Sequence, residues 1–159
     1  METLDRLIFR SEHWQIFLIF VVLTFVELVS GFSVMGIALL TYQIMLGVTL
    51  RNYLPPNFQG TYRTFRVAGV LGLALLIYIL EFGSFGRDPG SFIFVAGIFV
   101  AYLIVLSFVA KAIKAIETGD NSVDFGDYFW EVILLAFFFP LGVWFLQPRL
   151  NALGDRFSS

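Results

Sequence analysis

The chain has no cysteine and a single histidine, His13. Disulfides, thiolate metal sites and cysteine nucleophiles are therefore excluded, as is a histidine cluster holding a metal within one chain. Charge is scarce too: Asp, Glu, Lys and Arg together make up 14% of the 159 residues. The ten basic residues form no patch large enough for nucleic acid. Serine–histidine pairs and paired aspartates are missing from the apolar runs, so no intramembrane protease signature is present. The glycines of FGSFG (82–86) neither follow a strand nor open a nucleotide-binding helix. No catalytic, cofactor-binding or metal-ligating residue is expected, and the reading is non-enzymatic.

Apolar surface is what the chain has in plenty. Hydrophobic residues reach 58%, mean hydropathy is +0.85, and phenylalanine alone supplies 20 residues. A soluble domain of this length has too little polar surface left to cover so much apolar surface. Long apolar runs point to an all-α integral membrane protein, a single membrane domain over 1–159 with the lipid bilayer as its main partner. The N-terminus does not read as a cleavable signal: acids outnumber bases there, and the apolar run that follows is too long.

Residues 1–13 read as a short amphipathic segment at the membrane surface, with a frayed tail as the alternative. Residues 14–50 carry one charge, Glu27. This run is long enough for two spans, since one needs about 20 residues. Ser30-Gly31 is the only plausible break, giving spans 14–29 and 32–50. Residues 51–66 read as a polar loop in which Pro55-Pro56 stops the helix. Spans 67–81 and 92–110 follow, separated by the Gly/Pro turn 82–91. Residues 111–127 read as an acidic loop, 130–147 as a last hydrophobic helix, and 148–159 as a tail.

Whether that last stretch crosses or dips decides the topology. Short loops rich in Lys and Arg stay in the cytoplasm. With four spans and a re-entrant last segment, nine basic residues lie inside and Arg87 alone lies outside. If the last segment crosses as a fifth span, the division is seven to three. Residues 132–146 would make a helix of only about 22 Å, against a hydrocarbon core of about 30 Å. Pro140, with Gly142 near it, can make a bend. A Pro-kinked re-entrant segment is the first expectation and a kinked fifth span the second. Both place the protein in the cytoplasmic (inner) membrane with its N-terminus inside; re-entrance places the C-terminus inside as well.

Several residues are candidates for more than packing. Glu27 and Glu81 lie near the outer ends of spans one and three. Gln43 carries an amide at depth, which needs partners in lipid. If these residues faced one path, they could serve ions or protons; snorkelling and an interhelical hydrogen bond are the bland alternatives. Asp120, Ser122, Asp124 and Glu131 resemble a calcium loop, but Phe125 stands where that pattern needs glycine. A solvated loop with Asp124 or Asp127 capping the next helix is the simpler expectation. Small residues four apart, Ala68/Gly72 and Gly97/Ala101, let helices approach closely, within one chain or between copies. A homo-oligomer or a membrane-protein partner stays open.

The C-terminal third, AKAIKAIETGDNSVDFGDYFWEVILLAFFFPLGVWFLQPRLN, resembles the end of small multi-pass membrane proteins common in Bacteroidota. Phe138, Phe139, Pro140, Gly142, Trp144, Gln147, Pro148, Arg149 and Asn151 carry the likeness. It covers about 40 residues and implies a compartment and an architecture, but no activity. With Glu131, the residues Pro140, Trp144, Gln147, Pro148 and Arg149 form a candidate C-terminal motif. Helix termination and a headgroup contact would account for Gln147-Pro148-Arg149. The leading expectation is a non-enzymatic accessory or assembly subunit. The alternative is a small oligomeric ion channel or transporter using Glu27, Gln43 and Glu81.

Overall fold

The computed structural model describes residues 13–30, 34–54, 58–82, 89–119, 123–137 and 141–158. Among these residues there are six helices and no strand: α1 (His13–Ser30), α2 (Val34–Arg51), α3 (Gln59–Phe82), α4 (Pro89–Thr118), α5 (Phe125–Phe137) and α6 (Leu141–Ser158). The expected surface segment at 1–12, the Gly31 turn, Pro55-Pro56, the turn core at 83–88 and Pro140 lie outside the described residues.

Local chemistry fixes the helix ends. The α2 helix tightens as it stops, with the N–H groups of Asn52, Tyr53 and Leu54 bonding three residues back. Pro89 opens α4, where the missing N–H costs nothing. Gly119 follows α4 at φ +66°, a conformation that stops a helix and suits a residue without Cβ. At the start of α5 the Asp127 carboxylate accepts the Asp124 N–H at 3.0 Å. That contact is the backward arm of a capping box.

Two helices outrun their expected spans. α3 starts at Gln59, inside the segment read as a loop. Phe58, Tyr62 and Phe65 share a helical face. Phe65 is fully buried and stacks on Phe108 with ring centroids 4.4 Å apart. Arg63 and Arg66 stay exposed. α4 continues to Thr118 because Ala112, Ile113 and Ala115 keep a buried stripe going beyond Ala110. Charged residues ended both spans in the hydropathy reading, yet the apolar period carries on beneath them.

The helix α4 is the hub, packing against α2, α3, α5 and α6, while α1 lies against α2 and α6. Small residues set the closest approach. A Cβ added at Gly72 would sit 3.2 Å from Ala101 Cβ and 3.3 Å from Leu40, and one at Gly97 would sit 3.3 Å from Leu75. The small-residue positions of α3 and α4 thus meet within the chain. Phe58 under Lys111 and Phe65 on Phe108 place the end of α2, the start of α3 and the end of α4 together. That end of the bundle gathers Arg51, Arg63, Arg66, Lys111, Lys114 and Arg149.

Two helices carry windows long and apolar enough to cross a membrane, within Thr61–Leu80 and Phe92–Thr118. Only 28% of each window is buried inside the chain. Leu28, Phe92, Ile93 and Val70 are each more than two-thirds exposed.

Candidate functional site

The charged and amide residues of the C-terminal motif come together where α6 meets α4, α5 and α2. Arg149 grips Glu117 with a two-pronged fork, its Nε donating to Oε1 at 2.6 Å and its Nη2 to Oε2. The same Nη2 reaches Glu131 Oε1 at 3.2 Å. Glu131 is buried and Arg149 is one-third exposed. A guanidinium is suited to this role because its donors are fixed in a plane that matches a carboxylate. The hydrogen bond to Glu117 is the main cause raising the Arg149 pKa above its ordinary value; Glu131 adds to it and burial opposes it. The cation is therefore permanent.

This contact settles the path of the chain. A straight helix from 131 to 149 would separate the two residues by about 27 Å. At 3.2 Å the chain must reverse between them. α5 and α6 are the two arms, and Pro140 lies in the link, outside the described residues.

Two residues before Arg149 on α6, about half a turn around the helix, Gln147 is fully buried. Its Oε1 accepts from the Tyr42 hydroxyl at 3.4 Å, and its Nε2 donates to Asn151 Oδ1 at 3.0 Å. Tyr42 in turn packs edge-on against Phe20, with centroids 5.9 Å apart. An amide on α6 is thereby tied to α2, and through aromatic packing to α1.

Pro148 sits inside α6 and does not end it. The expectation of a helix stop and a tail from 148 is corrected: the helix runs on to Ser158. Proline removes one backbone donor, but its ring faces outward. Leu146, Leu150 and Leu153 are buried on the inner face, and the Gln147–Asn151 bond spans the turn around it. Trp144 lies on α6 and Glu81 near the end of α3, their side chains outside the described set.

The other candidates do not join this cluster. Glu27 Oε2 accepts the backbone N–H of Met35 at 2.9 Å. It thus places a carboxylate on the N-terminus of α2, where both the free donor and the helix dipole favour one. Gln43 lies about 12 Å farther along α2 and is fully buried. Its expected interhelical hydrogen bond is absent: among the described residues neither amide atom has a partner, nor does Thr49 Oγ1. Apolar packing against α3 and α4 fixes the face of α2 that carries it. In the acidic loop, Asp120 and Ser122 lie outside the described residues, and Glu131 turns to Arg149.

Sequence reading missed Glu117. A carboxylate in the last turn of a helix opposes the dipole, so its position was itself a sign that a cation lay near. No protein family, curated protein or solved structure matches the chain.

Proposed function

We propose that this protein is a multi-pass helical component of the cytoplasmic membrane that acts as an accessory or assembly subunit. In this reading α1 to α4 span the bilayer and the α5–α6 hairpin is re-entrant, with both termini inside. One observation carries the functional part: the placed polar groups hold the chain's own helices together. Glu27 caps α2, Gln147 joins Tyr42, and Arg149 joins Glu117 and Glu131. What faces outward along α1 and the first half of α4 is apolar, which suits lipid and partner helices.

Supporting the topology, the basic residues cluster at one end of the bundle, and Trp14 and Trp130 are exposed, as interfacial tryptophans are. Glu27 is bonded to the Met35 N–H and Gln43 is fully buried, which favours the subunit reading over the channel or transporter reading. Pure protein in liposomes is expected to add no proton or cation flux above protein-free vesicles. Flux abolished by Glu27→Gln or Gln43→Leu would establish the channel instead. For topology, Ser159→Cys on this cysteine-free chain is expected to resist an impermeant maleimide in intact cells and to react after lysis. Labelling in intact cells would mean that the last segment crosses.

A further inference from the structure

We propose that the groove between α2 and α3 holds an anionic glycerophospholipid, its phosphate on Arg51, Arg63 and Arg66 and an acyl chain along the apolar wall of α3. The inference rests on the membrane reading and names a ligand for one surface of it.

The groove is a cavity of about 1000 Å³, at the upper end of the usual range for ligand sites. Its two halves differ in chemistry. At the charged end of the bundle, Arg51 from α2 meets Arg63 and Arg66 from α3. Farther along α3 the lining becomes Val67, Val70, Leu71 and Ala74. From 67 to 74 this wall runs about 10 Å, most of the depth of one leaflet's hydrocarbon, about 15 Å. The change from cationic to apolar falls between Arg66 and Val67, within a helix that is long and apolar enough to cross.

Two of the arginines converge on one aromatic ring. Arg51 lies 4.8 Å and Arg66 6.0 Å from the centroid of the same Tyr62 ring. Among the described residues no carboxylate pairs with any of the three, and none lines the groove. Like charges drawn to one ring repel, and an anion between them relieves this. Guanidinium forks match phosphate oxygens. The ring platform is stiff, because Tyr62 stacks on Phe65 at 5.7 Å and Phe65 on Phe108. A free phosphate would satisfy the arginines but leave the apolar half empty. A phospholipid satisfies both halves in the order they occur, and basic pockets between helices at the inner face are the setting for such headgroups.

The test uses the full chain in neutral detergent with equal amounts of phosphatidylglycerol and phosphatidylcholine of identical acyl chains, retained lipid being read by native mass spectrometry. Preferential retention of phosphatidylglycerol is expected. Each arginine removed should lower the preference about fivefold, near 1 kcal/mol, so Arg63→Gln with Arg66→Gln should lower it about 25-fold. Val70→Trp fills the apolar half, keeps every arginine, and should also lower retention. Lys114→Gln, a basic residue outside the groove, should leave it unchanged. Equal retention of the two lipids by the wild type, or full preference in the double arginine variant, would overturn the proposal. So would inorganic phosphate or an acidic peptide displacing the lipid and still binding the Val70→Trp protein. Vesicle flotation separates the two claims. A chain that floats but shows no anionic preference loses the lipid site and keeps the membrane reading; a chain that stays soluble without detergent loses both.

Discussion

Removing the Arg149 guanidinium tests the hinge of the C-terminal architecture. Arg149→Met keeps an unbranched apolar stem and deletes the charge that joins Glu117 to Glu131. Both carboxylates touch the same Nη2, so their nearest oxygens lie within about 6 Å of each other. At an effective dielectric of 20 their repulsion is about 3 kcal/mol. Glu117 is about a quarter exposed and Arg149 one-third exposed, so water screens part of this. Breaking a fully buried pair costs about 3–5 kcal/mol and an exposed one about 0–1. The geometry lies between, and we expect about 2 kcal/mol. Adding Glu131→Gln should restore most of it at pH 7. Thermal unfolding in detergent, followed by the three tryptophans, should show Tm lower by roughly 4–8 °C. An unchanged Tm, or a deficit that the second substitution leaves in place, would refute the electrostatic account of the hairpin.

Gln43→Met should stabilise the fold by about 2 kcal/mol, because two buried polar atoms without partners each cost about 1–3 kcal/mol; a lower Tm would show that the amide is satisfied after all. Gly47→Ala should cost about 1–3 kcal/mol, since its Cβ would lie 2.4 Å from Phe65 Cζ and that ring is pinned against Phe108. Combining it with Phe65→Leu should recover part of the loss in the same melt. Burial, with Asp124 adding to it, raises the Tyr128 pKa. The neutral phenol is then favoured by folding, so its stabilising share is complete below about pH 10, the ordinary value, and fades as pH rises through the higher folded value. Tyr128→Phe should remove that alkaline component from a stability-against-pH curve.

The helices were legible from apolar runs because a bilayer-length segment leaves a coarse signal that needs no knowledge of neighbours. Their ends were not. Hydropathy treats Arg63 and Arg66 as loop, whereas a helix can turn two arginines outward and still bury Phe65. The same blindness stopped α4 at Ala110, before the stripe of Ala112, Ile113 and Ala115. The site divided along similar lines. Glu131 and Arg149 were visible as members of the C-terminal motif, but their pairing needs a chain reversal that no local pattern encodes. Gln147 was visible only through the likeness of its motif, and its partner Tyr42 lies 105 residues away. Gln43 was expected to find a hydrogen bond because lipid punishes an unpaired amide. Packing of α2 on α3 and α4 fixed the face it sits on, and no partner followed among the described residues.

Pro148 shows most directly how tertiary contacts overrule a local stop. Proline inside a helix costs about 3 kcal/mol, enough to end α6 if nothing opposed it. On one side of it Gln147 is bonded to α2; on the other Arg149 is held by two carboxylates, and Leu150 and Leu153 are buried. Stopping at 148 would release the arginine and expose both leucines, each worth about 1.5–3 kcal/mol of burial. The burial alone matches or exceeds the proline penalty, and the ion pairs add to it. If that balance is right, Pro148→Ala should stabilise the protein without moving any contact, because the ring faces outward and makes no use of its rigidity. A gain of about 1–3 kcal/mol in the detergent melt is expected, with phosphatidylglycerol preference unchanged. A loss of stability would mean that the proline is needed to aim Gln147 and Arg149, and that α6 is bent there by design rather than in spite of its sequence.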